Sequence, residues 1–221
     1  MTQFETEILE LKSEVRNMWM LVRSQLSKTL DALVNFDKDL AREVTVKEKR
    51  VNGSELKIDR DCENIFALYQ PVAIDLRFLL AVLKINSNLE RIGDIAEGIA
   101  KYIIDTDAVF SPELIRVSRV LEMFGESMVM FEDTLAAFET DDTTLARSVF
   151  KKDEFLDHIN QTANENIEAY IKQFPEDINQ ALYAISIIRK LERVGDQSKN
   201  IAEEIIFYLE AKVLKHSKKG K

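Results

Sequence analysis

Apolar side chains recur at Phe4, Ile8, Leu11, Val15, Met18, Val22, Leu26, Leu30 and Leu33, in steps of three and four. That period predicts one long amphipathic helix. A second helix is predicted from about Asp37 to Tyr69, with Val44, Val51, Ile58, Cys62 and Ile65 on one stripe and Gly53 as an interruption. Gln70-Pro71 ends it, and Pro71 suits the first turn of a third helix running to about Ile104. The core stripe of that helix is Ile85, Leu89, Ile92, Ala96, Ile99 and Ile103. After a loop from Asp105, Ser111-Pro112 starts a fourth helix carrying Val117, Leu121, Phe124, Met128, Phe131, Leu135 and Phe138. Asp141 to Thr144 caps a fifth, through Val149, Leu156, Ile167 and Tyr170, and Phe174-Pro175 breaks it. The sixth runs from about Asp177 to Leu214. Every proline falls at a predicted junction, so the expected fold class is all-α, with six long helices running up and down.

An internal repeat divides these helices into two sets of three. A shift of 102 residues lays Leu89-Glu90-Arg91-Ile92-Gly93-Asp94 over Leu191-Glu192-Arg193-Val194-Gly195-Asp196. Over the 16 positions from Leu89 to Ile104, nine are identical. Asp75, Leu80 and Ile85 fall over Asp177, Leu182 and Ile187, and with a small change of shift Ala41-Arg42 meets Ala146-Arg147. The expected units are a three-helix bundle over 1–107, a second over 112–214, and a basic tail over 215–221.

Composition narrows the function. Only 6 glycines and 3 prolines leave little room for the turns of an all-β fold. A net charge of −9 argues against nucleic-acid binding through phosphate neutralisation. The single cysteine, Cys62, excludes an intramolecular disulfide and fits a reducing compartment as a small buried residue. The first residues are acidic and lack the apolar core of a signal peptide, and the longest apolar run, Phe78 to Leu83, is too short to span a bilayer. A cytoplasmic protein, at most peripheral to a membrane, is expected.

The repeated motif carries the candidate chemistry. Glu90/Asp94 and Glu192/Asp196 stand at i and i+4, so each pair leaves one helix face beside the core stripe. Like charges at that spacing cost about 0.2–0.5 kcal/mol, and a mid-helix glycine about 1 kcal/mol relative to alanine. Gly93 and Gly195 would permit close approach of a neighbouring helix or a ligand. The preceding helix of each half offers a companion pair, Glu48/Asn52 and Asp153/Asp157, which antiparallel packing would bring opposite the motif. Clustered oxygen donors suit a hard cation such as Mg²⁺, Ca²⁺, Mn²⁺ or iron. The same spacing also fits surface networks in which Arg91 and Arg193 neutralise the acids. With four carboxylates in the C-terminal half, against three and an amide in the N-terminal half, tighter cation binding is expected in the C-terminal half. Catalytic alternatives lack their parts: neither His158 nor His216 completes the Glu-x-x-His pairs of a di-iron bundle oxidase, and no nucleophile has a paired histidine. Trp19, Met18 and Met20 fit a core or an interface.

The paired motif, preceded by Gln70-Pro-Val-Ala-Ile-Asp-Leu-Arg77 and followed by Asn200-Ile-Ala-Glu203, resembles the PhoU family of phosphate-uptake regulators from about Phe4 to Tyr208. The resemblance implies two three-helix bundles side by side, with metal at Glu90/Asp94, Glu192/Asp196 and the companions Glu48/Asn52 and Asp153/Asp157. It implies divalent or trivalent metal ions, iron clusters among them, with Mn, Mg and Zn as alternatives. Where the family's second motif often continues with His-Ala-Thr, this chain has Gln197-Ser198-Lys199, which supplies no imidazole and adds a positive charge. The implied role is a non-enzymatic repressor of phosphate-starvation signalling, acting between the phosphate-specific ABC transporter and a sensor histidine kinase. A homodimer is plausible for such a bundle. The competing readings are a metal-independent interaction module, whose acidic face docks a basic partner, and the bundle oxidase.

Overall fold

A computed structural model describes residues 2–214; the tail lysines Lys215, Lys218, Lys219 and Lys221 and His216 lie outside the described residues. Among the described residues there are seven α-helices, one short 3-10 turn and no strand: α1 Gln3–Asn35, α2 Lys38–Tyr69, α3 Ala73–Asp105, α4 Pro112–Ser118, α5 Val120–Thr140, α6 Thr143–Gln173 and α7 Ile178–Glu210. At about 1.5 Å per residue, the longest are rods of about 50 Å. The stripes read from the sequence form the core: Val15, Met18, Val22 and Leu26 of α1, Val44, Val51, Ile58, Cys62 and Ile65 of α2, and all six stripe residues of α3 are buried. Trp19 is fully buried, with ring centroids 6.3 Å from Phe131 and 5.2 Å from Phe138. Met20, by contrast, is exposed.

The helix starts show the duplication in atomic detail. Asp37 caps α2 by accepting from the amides of Asp39 and Leu40, and Asp142 caps α6 by accepting from those of Thr144 and Leu145. Each cap follows a left-handed residue, Phe36 (φ 51°) or Asp141 (φ 53°), whose amide or its successor's returns to the end of the preceding helix.

Four boundaries differ from expectation. The last helix stops at Glu210 rather than Leu214, because Ala211 is left-handed (φ 57°). The fourth helix is two: Arg119 is left-handed (φ 55°) and separates α4 from α5, a break that apolar spacing does not encode. Pro71 lies in the connection rather than in the first turn of α3, because Gln70 is left-handed (φ 48°) and the helix starts only at Ala73. Gly53 does not interrupt α2, since it is exposed and packs against nothing that a continuous helix would disturb.

Helices α1, α2 and α3 pack on one another, as do α5, α6 and α7, and the two sets meet along α3 and α7, with α1 also touching α5. Across the main seam, Arg77 donates to the Tyr208 carbonyl at 3.3 Å, Lys84 pairs with Glu204 at 3.0 Å, and Asn200 donates to Asn88 at 3.4 Å. The rings of Tyr102 and Tyr183 lie 5.4 Å apart. Rising numbers on α3 meet falling numbers on α7, so the two helices are antiparallel. That register brings both copies of the repeated motif to the same level of the seam. Along the α1–α5 edge, Lys12 pairs with Asp141, Arg23 with Glu132, and Arg16 with Glu139. No helix among the described residues is long and apolar enough to cross a membrane.

Candidate functional site

In the N-terminal half, three helices converge at Gly93. A β-carbon there would stand 3.1 Å from Gln25 Oε1 of α1, 3.2 Å from Glu48 Oε2 of α2 and 3.2 Å from Val51 Cγ1. The glycine therefore admits two polar side chains against the α3 backbone, beside the motif acids. Glu48 is only 5% exposed, and Gln25 Nε2 donates to its Oε2 at 2.6 Å. The remaining oxygens, Glu48 Oε1 and Gln25 Oε1, are buried without a hydrogen-bond partner. Two orphaned oxygens at one place are unusual, because leaving a buried acceptor unpaired costs about 1–3 kcal/mol.

The neighbouring charges are mostly negative, with Arg91 the one cation that offsets the rise of Glu90 and Glu55. Burial pushes the Glu48 carboxyl up from 4.5 to about 7, against the pull of the Gln25 amide, and the charges on Asp94, Glu97 and Glu90 add to the rise. Burial likewise raises Glu90, reinforced by Asp94 and Glu55, and raises Glu55, reinforced by Asp59 and Asp94. Glu55 stands outside the motif pairs and their companions. It lies seven residues beyond Glu48, two turns along the same face, while Asn52 is exposed and has no partner among the described residues. The N-terminal cluster thus holds Glu48, Glu55, Glu90 and Asp94, with Glu97 close by.

The metal-free protein should reveal Glu48 through its pH dependence. The folded chain keeps a proton on Glu48 that the unfolded chain releases near 4.5, so stability falls as pH rises from 4.5 through about 7. Glu48→Gln should therefore stabilise the chelated protein at pH 8 by up to about 3 kcal/mol. Thermal melts should show the difference closing at acid pH; equal melting temperatures at pH 8 would refute the assignment.

The C-terminal half repeats the geometry with different chemistry. A β-carbon on Gly195 would lie 2.6 Å from Leu156 Cδ1, 3.3 Å from Asp153 Oδ1 and 3.6 Å from Met130 Cε. Met130 thus stands where the N-terminal half has Gln25. Asp153 is buried, and Lys199 Nζ lies 2.5 Å from its Oδ2 and 2.8 Å from Asp196 Oδ1. Burial works against the Lys199 ammonium, but its bonds to the two aspartates outweigh it and its pKa is raised. Burial raises Asp153 in spite of Lys199, and raises Glu192 with help from Asp196 and Asp157. The lysine spans Asp153 and Asp196, two of the acids expected to hold a metal. The four-carboxylate count that favoured the C-terminal half leaves out this built-in cation. Position 199 matches Glu97 of the first repeat, so the two copies carry opposite charge there.

Among the described residues, no three His, Cys, Asp or Glu side chains are gathered closely enough to hold a metal ion as they stand. The donor chemistry nevertheless separates the halves. The N-terminal cluster, with two orphaned oxygens and no paired cation among its acids, fits a hard cation; the C-terminal cluster, closed by Lys199, does not. Arg91 and Arg193 form no ion pair among the described residues, although the charge of Arg91 partly offsets the rise of Glu90 and Glu55. His158 is exposed, and burial pushes the Cys62 thiol up to about 12, which leaves it inert.

Paired three-helix bundles with an acidic motif repeated at their seam define a class of duplicated all-α proteins, and similarity to known proteins supplies its name. The PhoU domain matches this chain twice, over residues 15–103 and 120–205, and the chain belongs to the PhoU family. It is 34% identical over 215 residues to the phosphate-specific transport system accessory protein PhoU of Edwardsiella tarda, covering 97% of this chain and 87% of that protein. Against the Escherichia coli K12 protein of the same name the identity is 32%, over 97% and 88%. The crystal structure of PhoU from Pseudomonas aeruginosa superposes with a TM-score of 0.90 at 33% identity, covering 95% of this chain and all of that one. That of the phosphate transport system regulatory protein PhoU from Streptococcus pneumoniae gives 0.85 at 29%, over 96% and 99%.

Proposed function

We propose that this chain is a non-catalytic accessory regulator of a phosphate-specific ABC transporter, acting in the cytoplasm between the transporter and a sensor histidine kinase. The observation that carries the reading is near full-length similarity, across both repeats, to proteins named as accessory to phosphate-specific transport. In this reading Glu48, Glu55, Glu90 and Asp94 hold a divalent or trivalent cation, iron or manganese before magnesium or zinc. When bound, the ion would supply positive charge that ties α2 to α3. The chain's own residues do the rest: Gln25 orients Glu48, Gly93 keeps α1 and α2 close to α3, and Asn86 fixes the α2 backbone by donating to the Glu55 carbonyl at 2.9 Å and to Asp59 at 2.8 Å.

Affinity capture from native membranes, at high and low phosphate, tests the role. The tagged chain should retain the transporter's subunits and the kinase, more of both when phosphate is plentiful. Failure to retain either protein at both concentrations would contradict the reading. A second reading, docking without metal, draws on the C-terminal half, whose cluster already holds the Lys199 ammonium. It requires that capture be unchanged in chelator. A homodimer would show in the mass measured by light scattering.

A further inference from the structure

On the seam between α3 and α7, next to the repeated motif, lies an open cleft of about 530 Å³ whose lining includes Arg91, Lys101, Lys190 and Arg193. Four cations at one place run against a chain of net charge −9. Arg91 and Arg193 are the same position of the two motif copies, brought together by the antiparallel register of α3 and α7. Neither is paired with a carboxylate among the described residues, and neither is Lys190. Lys101 alone has a partner, Glu97, at 2.7 Å. Asp94 and Asp105 also line the cleft, so its lining carries four cations against three acids.

Lys190 is held in place. Its ammonium lies 5.5 Å from the centroid of the Tyr102 ring and over the α3 backbone at Gly98. A β-carbon on Gly98 would collide with Lys190 Nζ and stand 3.0 Å from Cε, and its three nearest neighbours all belong to that lysine side chain. A glycine inside a helix costs about 1 kcal/mol relative to alanine; here it makes room for a cation that forms no ion pair among the described residues and is favoured only by the charges of Asp94 and Glu97. A cation fixed in a partly desolvated groove is stabilised by an anion, and guanidinium groups offer forked donors matched to oxyanions.

We propose that this cleft binds a phosphate-sized oxyanion, with Arg91, Arg193 and Lys190 as its donors. The cleft borders the carboxylate cluster and shares Asp94 with it, but its donors are cations on α3 and α7 and do not depend on a metal being held there. The anion is free inorganic phosphate or the phosphoryl group of a small molecule such as a nucleotide.

Calorimetric titration of the full chain in chelator and low salt tests it, with inorganic phosphate as the first probe and sulfate and AMP as further arms. One saturable phosphate site per chain is expected, weakened about tenfold or more by Lys190→Gln and by Arg193→Gln. Gly98→Ala should weaken it as well, by displacing the ammonium. Arg23→Gln removes a charge of the same sign from the distant α1–α5 edge and should leave binding unchanged. Sulfate binding at the same residues supports an oxyanion site, and AMP binding more tightly than phosphate assigns the phosphoryl group to a nucleotide. Circular dichroism checks that each variant is folded; Arg193 is exposed, so its variant keeps the test open if Lys190→Gln misfolds. No saturable binding, or equal weakening by Arg23→Gln, overturns the proposal. Binding that appears only after metal is added overturns it too, and leaves the metal reading standing.

Discussion

Glu90→Gln combined with Asp94→Asn is expected to weaken divalent-cation binding by two orders of magnitude or more, while the fold survives. Both side chains leave the outer flank of α3, Glu90 half-buried and Asp94 exposed, so neither change opens a hole in the core. Each substitution keeps size and removes one negative charge from a cluster whose mutual repulsion already raises Glu90 and Glu48. Two unit charges a few ångströms from a dication, at an effective dielectric near 20, account for several kcal/mol, and about 1.4 kcal/mol is tenfold in affinity. In the chelated protein the same pair of changes should raise the melting temperature, because it relieves repulsion. Titration calorimetry with manganese and thermal melts in chelator read the two effects. Affinity within threefold of the wild type would remove Glu90 and Asp94 from the site.

Lys199→Met carries the second large effect, and its sign depends on metal. The substitution keeps an unbranched side chain of similar length but removes the ammonium from between Asp153 and Asp196. Asp153 is then left buried and without its cation, and the loss should cost about 1–3 kcal/mol in chelator. Added manganese should restore that stability, because the freed acids Asp153, Asp157, Glu192 and Asp196 then form a second cation cluster. Metal bound per chain should double relative to the wild type. A variant that loses stability but gains no metal would show that Lys199 is an ordinary structural ion pair rather than a substitute for a bound cation.

The helices were readable because their apolar stripes are long and regular, and because Pro71, Pro112 and Pro175 all stand in or beside connections. The break at Arg119 was not, since a single left-handed residue leaves the seven-residue pattern of Phe124, Phe131 and Phe138 intact. In the site, repetition alone exposed Glu90/Asp94 and Glu192/Asp196. Glu55 was not legible because the repeated motif and its companions are pairs four apart, while the face of α2 that meets α3 also returns after seven. Gln25 had a visible signal: with Thr29 it interrupts the apolar stripe of α1 with polar side chains, and both are buried. Lys199 was visible as a charge near the second motif. Its reach across to α6, which makes it the partner of Asp153, is a property of packing and not of spacing.

These differences turn a duplicated motif into two unequal sites, one that awaits a cation and one that contains its own. Anomalous diffraction from crystals of the chain grown with manganese tests that inequality most directly. The account predicts an anomalous peak between α2 and α3, beside Glu48, Glu90 and Asp94, with Lys199 still joining Asp153 to Asp196. A peak among Asp153, Asp157, Glu192 and Asp196, with Lys199 turned away and none at the N-terminal cluster, would contradict it.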